Sequence, residues 1–108
     1  MEGTYELKTW KKSTEGFPIS GHQGYLIYYQ GMVSVHIKQA SGVYFSYGGF
    51  YERDGHGVIH SGLLGSHPMF CVDQHRSIHI TEDGTATLGF ERDGVYNELV
   101  WRRRHNEA

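Results

Sequence analysis

Apolar and polar residues alternate along most of the chain, in short runs separated by turn-forming residues. Between positions 33 and 38, three β-branched apolar residues alternate with Ser, His and Lys, which is the two-residue period of a strand with one buried face. Asp-Gly pairs at 54–55, 83–84 and 93–94 separate such runs, and glycine permits the positive φ that tight hairpin turns need. The pattern predicts eight strands, at about 3–12, 22–30, 32–39, 43–54, 57–65, 70–81, 85–92 and 95–104.

Each predicted strand has one apolar face that must be hidden from water. Tyr5, Leu7 and Thr9 share such a face in the first strand, and Phe70, Val72 and Ile78 share one in the sixth. An eight-stranded antiparallel up-and-down barrel buries all of these faces and leaves no free sheet edge. We therefore expect an all-β fold, with residues 1–108 forming a single barrel domain. A barrel of eight strands encloses side chains or one small ligand.

Composition and charge restrict the classes of partner. The chain has 108 residues, 15 Gly, 8 Tyr and a formal net charge of −2, so no strong positive field attracts nucleic acid. No apolar run reaches the length of about 18 residues that a membrane span requires. The N-terminus lacks the basic and apolar regions of a signal peptide. These observations predict a cytoplasmic protein that binds neither nucleic acid nor membrane.

Histidine is abundant, with 8 residues, so a metal site has to be considered. Cys71, His75 and His79 are spaced by four residues and would share one face of a helix. Their β-branched neighbours favour a strand, in which residues four apart are separated by about 13 Å. Zinc ligands lie about 2.0–2.3 Å from the ion, so these three side chains cannot bind one metal together. We expect neither a metal nor a cofactor. Cys71 is the only cysteine, which excludes an intrachain disulfide.

Several short motifs, in order along the chain, are similar to those of the bacterial and fungal lipocalin-like domain family. They are Gly24–Tyr28, Met32-x-Ser34-Val35, Tyr47-x-Gly49-x-Tyr51, Val58-x-His60, Pro68 and Leu99–Arg103. The opening Gly3-Thr4-Tyr5-Glu6-Leu7 stands where that family has Gly-Thr-Trp-x-Leu, with Tyr5 in place of Trp. The resemblance covers nearly the whole chain, which is shorter than usual members between strands three and four and around the 62–70 turn. It implies a calycin-type barrel for small apolar molecules, but it does not imply a reaction.

Arg76 is the most informative single residue, because it falls in phase with the apolar residues of the sixth strand. An arginine inside a small barrel is costly unless it is paired. One interpretation is structural, with Arg76 packed over an aromatic ring to close the barrel. A second is functional, with Arg76 binding a carboxylate, enol or phenolate of a ligand. A third is that a bulge turns it outward.

Other candidate ligand-binding residues are His60, Tyr25, Tyr47 and Tyr51. His60 belongs to the family-like Val-x-His motif and is the best candidate for a general base if the protein is an enzyme. The tyrosines would supply ring surface and hydroxyl groups to a pocket, or they pack in the core.

The first hypothesis is a small-molecule binding protein whose barrel holds an apolar or aromatic ligand with one polar or anionic group. The alternative is a cofactor-independent isomerase or cyclase acting on a polyketide- or terpenoid-like metabolite. In that case His60 or a Tyr would move a proton while Arg76 held an enolate. Tyr28, Tyr44 and Phe50 are predicted to face outward, so we also expect self-association as a homodimer.

Overall fold

Eight strands account for most of the chain, and the computed structural model describes residues 1–16 and 18–104. The strands are β1 (Gly3–Lys12), β2 (Gln23–Tyr29), β3 (Met32–Lys38), β4 (Tyr44–Asp54), β5 (Gly57–Gly65), β6 (Asp73–Ile80), β7 (Thr85–Arg92) and β8 (Val95–Arg103). All eight predicted strands are confirmed. The largest difference is at the start of β6, where Phe70 ends a short 3₁₀ turn, Pro68–Phe70, and the strand begins only at Asp73.

The strands form a closed antiparallel barrel in up-and-down order. Each strand pairs with the next, and β8 returns to pair with β1, where Leu7 lies opposite Trp101. The predicted all-β, eight-stranded up-and-down barrel is thus confirmed, and closure leaves no unpaired sheet edge. Within the described residues, no helix combines the length and the apolar character needed to cross a membrane.

A β-bulge in β1 changes which residues face the interior. The pairing with β8 shifts between Leu7 and Thr9, so the two-residue alternation is interrupted there. Tyr5 and Leu7 are buried as predicted, but Thr9 is exposed and Trp10 is buried in its place. The predicted inward position of Thr9 was wrong because strict alternation does not allow for the extra residue of a bulge.

The facing of β2 is the opposite of the predicted one. Tyr28 is completely buried and Tyr25 is 45% exposed, so the prediction that Tyr28 faces outward and Tyr25 inward was wrong. Tyr28 lies directly opposite the buried Val33 of β3, and opposed residues of an antiparallel pair share a face. Aromatic residues occupy both faces of β2, so its own sequence carries no clear signal of phase.

Gly62 in β5 allows the segment between β5 and β6 to fold over the barrel opening. A Cβ atom on Gly62 would lie 1.7 Å from the carbonyl oxygen of Phe70. The missing side chain thus lets the 3₁₀ turn approach closely enough to bury Phe70. Val72 follows this turn and is 55% exposed, so its predicted inward position was wrong.

One end of the barrel is filled by tyrosine rings. Tyr28 packs edge-on against Tyr5, with ring centroids 6.2 Å apart, and against Tyr51, with centroids 4.7 Å apart. The connections β2–β3, β4–β5 and β6–β7 lie at this end. The interior that remains open therefore lies toward the other end of the barrel.

Candidate functional site

The open half of the barrel encloses a cavity of about 430 Å³. This volume lies within the range of about 300–1,000 Å³ that is typical of small-molecule sites. Charged side chains surround the opening, where Lys12 and Arg92 are balanced by Glu15 and Asp93. Aromatic side chains form much of the inner wall, namely Trp10, Phe45, Tyr47, Phe70, Phe90 and Trp101.

His60 lies at the base of this cavity, hydrogen-bonded on both sides to tyrosine hydroxyls. The Oη atom of Tyr28 is 2.6 Å from Nε2 of His60, and the Oη atom of Tyr47 is 2.7 Å from Nδ1. The three residues come from β2, β4 and β5, and His60 is 1% exposed. Tyr47 and His60 line the cavity, whereas Tyr28 lies behind them in the filled end.

The positions of the two tyrosines favour one direction for these hydrogen bonds, because Tyr28 is completely buried outside the cavity lining whereas Tyr47 lines the cavity. Among the described residues its hydroxyl has no partner other than His60, and an unpaired buried O–H costs about 1–3 kcal/mol. Tyr28 therefore donates to Nε2. A neutral imidazole carries one proton, which then lies on Nδ1 and is donated to the Tyr47 oxygen. The hydroxyl hydrogen of Tyr47 is left free to point into the cavity.

All three members of this chain remain uncharged at neutral pH. Burial, with a smaller effect of the Arg76 charge, lowers the pKa of His60 to about 3. Burial raises the pKa of Tyr47 to about 12, although the nearby Arg76 opposes this rise. Burial also raises the pKa of Tyr28 far above its ordinary value. An imidazole that is this difficult to protonate, with both nitrogens occupied, is a poor general base.

Arg76 stands in the cavity wall beside this chain. Its guanidinium carbon lies 4.1 Å from the centroid of the Phe90 ring, and its Nη2 donates to Oε1 of Gln74 at 2.5 Å. Gln74 is buried and in turn donates to the carbonyl oxygen of Phe70 at 3.1 Å. Burial lowers the pKa of Arg76, and the charge of Arg92 acts in the same direction.

Within the described part of the chain, no carboxylate balances the positive charge of Arg76. Across residues 1–16 and 18–104 the only salt bridge joins Lys8 to Glu6 on the outer surface. The acidic side chains of the cavity lining, Glu15 and Asp93, lie at the exposed rim. Among the described residues, the half-buried guanidinium is therefore stabilised by the Phe90 ring and by neutral acceptors.

Three of the five predicted site residues come together in space. Tyr47, His60 and Arg76 all line the cavity. Tyr51 points into the barrel but packs against Tyr28 in the filled end, outside the cavity lining. Tyr25 is a correction, because the facing of β2 places it on the outer surface.

The sequence interpretation missed the polar pair formed by Trp10 and Asn97. The indole Nε1 of Trp10 donates to Oδ1 of Asn97 at 2.9 Å, and both side chains are buried in the cavity wall. Trp10 was missed because of the bulge in β1. Asn97 shares the inward phase of Leu99 and Trp101, so the alternation of β8 contained a signal for it.

Tyr44 and Phe50 are about half exposed on the outer face of β4. Self-association through this face stays a prediction.

The described residues contain no group of three or more His, Cys, Asp or Glu side chains that could hold a metal ion.

Comparisons with known proteins do not assign the chain to a family. No model of a known protein family matches the sequence, and no curated protein is significantly similar to it. The closed eight-stranded barrel is compatible with a calycin-like fold.

The hydrogen-bond chain predicts the tautomer of His60. We expect nitrogen-15 NMR of the imidazole ring at neutral pH to show a single neutral form protonated at Nδ1, because Tyr28 occupies Nε2 as a donor. The exposed His79 supplies the solvent-averaged reference in the same spectrum. A ring protonated at Nε2 would show that Tyr47 is the donor and that its hydroxyl is not free.

Proposed function

We propose that this protein binds a small apolar or aromatic molecule with one polar or anionic group, which is held inside the barrel. The observation that carries the proposal is the half-buried Arg76, without a carboxylate partner among the described residues, in the wall of an aromatic-lined cavity of about 430 Å³. The walls would receive the apolar part of the ligand, and Arg76 would receive its polar group.

The energetics of Arg76 support a ligand with negative charge. A charge that is partly removed from water is destabilising unless an opposite charge or sufficient hydrogen bonds compensate for it. Phe90 and Gln74 supply part of this compensation but no negative charge. An anionic group beside Arg76 would add it, at about 1.5–3 kcal/mol for a hydrogen bond to a charged group.

Membership of the lipocalin-like family forms part of this proposal. It is supported by the ordered sequence motifs and by a fold compatible with that of calycins. Barrels of this kind hold their ligands in the open end, which is the position of the cavity here.

Thermal melts in the presence of candidate ligands test the proposal. A panel of fatty acids and aromatic acids is expected to include compounds that raise the melting temperature. A ligand present at 100 times its Kd stabilises the folded state by about 2.7 kcal/mol. If no compound of either class shifted the melt or bound in calorimetry, the proposal would be wrong.

Replacement of Arg76 by methionine is expected to weaken binding of an anionic ligand by roughly 10- to 150-fold, which corresponds to about 1.5–3 kcal/mol. The unliganded variant should keep its stability to within about 1 kcal/mol, because loss of the Phe90 contact and of the hydrogen bond to Gln74 is offset by relief of the half-buried charge.

Arg102→Met serves as the control, because Arg102 is exposed on β8 away from the cavity. We expect this variant to bind like the wild type, in the same calorimetric titration. A destabilised Arg76→Met protein with unchanged affinity would assign Arg76 a purely structural role.

The isomerase or cyclase alternative uses the same donors in a different way. Tyr47 and Arg76 could stabilise the enolate of a bound carbonyl compound. A base is harder to identify, because His60 is a poor one and Glu15 and Asp93 lie at the rim. Binding is therefore the function that the described residues support best.

A further inference from the structure

The base of the cavity offers hydrogen-bond donors to a ligand. The tautomer of His60 leaves the hydroxyl hydrogen of Tyr47 without an acceptor among the described residues. Arg76 can only donate, and it lines the same cavity as Tyr47, close to the Tyr47 hydroxyl. A ligand group placed between these two side chains must therefore accept hydrogen bonds from both.

The donors of Arg76 are partly occupied by contacts within the protein. Nη2 already donates to Gln74, and Nη1 donates to the carbonyl oxygen of His75 at 3.4 Å. Arginine has five N–H donors, so three remain free for a ligand, and Tyr47 adds one O–H. A group with one oxygen atom needs only one remaining N–H of Arg76 and the O–H of Tyr47.

We propose that the cavity holds a phenol- or enol-type ligand as its oxyanion, with the single oxygen between Arg76 and Tyr47 and the conjugated ring against the aromatic wall. This inference rests on the proposed function and names its ligand class. The aromatic rings of Phe45, Phe70 and Phe90 provide flat apolar surface above the two donors.

The charges that face this position favour an anion. His60 and Tyr28 are neutral, and Arg92 lies on the same Phe90 ring as Arg76, with its guanidinium carbon 5.5 Å from the centroid. The negative groups of the described lining, Glu15 and Asp93, are at the rim, where water screens them. A positive charge within about 4–6 Å lowers the pKa of an acid by about 1–3 units.

Para-nitrophenol is a direct probe, because its phenolate is yellow and its phenol is not. We expect its absorbance in the presence of excess protein to titrate about 1–3 pKa units lower than in buffer, which is a 10- to 1,000-fold stronger acid. Para-nitroanisole has the same ring and a methyl ether in place of the hydroxyl, so it binds without ionising. At pH values above the pKa of bound para-nitrophenol, we expect para-nitroanisole to bind more weakly than para-nitrophenol.

Two variants locate the effect. Tyr47→Phe removes the hydroxyl donor and Arg76→Met removes the charge, and each should return the probe's titration toward its value in buffer. Tyr44→Phe is the matched control, because Tyr44 is half exposed on the outer face of the same strand, and it should titrate the probe like the wild type. Two independent variants keep the test valid if one of them does not fold.

The outcomes separate this inference from the proposed function. If both probes bind but para-nitrophenol titrates as in buffer or at higher pH, the oxyanion inference is wrong and the binding function stands. If para-nitrophenol titrates with the same lowered pKa in both variants as in the wild type, the anion is bound elsewhere and the inference is also wrong. If neither probe binds, the proposed function fails and this inference fails with it.

Discussion

Lowering the pH from about 7 to about 4 is expected to reduce the free energy of unfolding by about 3 kcal/mol through His60 alone. In the unfolded chain this histidine has a pKa near 6.5, whereas burial lowers the pKa to about 3 in the folded protein. Between these values the unfolded state binds a proton that the folded state does not. The contribution is therefore fully present above pH 6.5 and is lost as the pH falls toward 3.

Urea unfolding at several pH values measures this dependence, and variants assign it. His60→Gln should flatten the decline between pH 6.5 and 4, although the variant will be less stable throughout because both tyrosines lose a partner. His79→Gln is the control, because His79 is exposed and should leave the decline unchanged.

NMR titration of the wild type measures the protonation of His60 directly, and it does not depend on whether the His60 variant folds. The His60 ring signals should not move between pH 7 and 4. A ring that titrates near pH 6 would contradict the buried, doubly hydrogen-bonded state.

The strands and the barrel were predictable because their signals are local. Asp-Gly turns divide the chain, and β3 and β7 have one clearly apolar face each. The errors occurred where the signal is not local. The phase of β2 depends on its pairing with Val33 and Val35, and the burial of Trp10 depends on a bulge that only the pairing with β8 reveals.

The same difference between local and non-local signals explains why only part of the site could be predicted. The inward position of Arg76 follows from the alternation of β6, and that of Phe90 follows from the alternation of β7. The chain from Tyr28 to His60 to Tyr47 joins residues that are 32 and 13 positions apart, and no local pattern specifies which side chains meet. Nor can a sequence show that a charged residue lacks a partner, because that depends on every neighbouring strand.

Gly62→Ala is expected to destabilise the protein by about 3 kcal/mol or more, although alanine is ordinarily the more stable residue in regular structure. A Cβ atom at this position would lie 1.7 Å from the carbonyl oxygen of Phe70 and 3.5 Å from the Cα atom of Cys71. The close atom belongs to the backbone, so no side chain can rotate away. The segment 66–72 would have to move, and Phe70 would move with it out of the cavity wall.

Gly16→Ala is the matched control, because a Cβ atom there has no neighbour within 4 Å among the described residues. Urea unfolding should give the Gly16→Ala variant a free energy of unfolding within about 0.5 kcal/mol of the wild-type value. The Gly62 variant should also bind the ligands found by thermal melts less tightly than wild type when folded, since Phe70 forms part of the aromatic wall. A Gly62→Ala protein with wild-type stability would mean that the turn at Pro68–Phe70 does not lie against β5, and that the cavity is not closed on that side by Phe70.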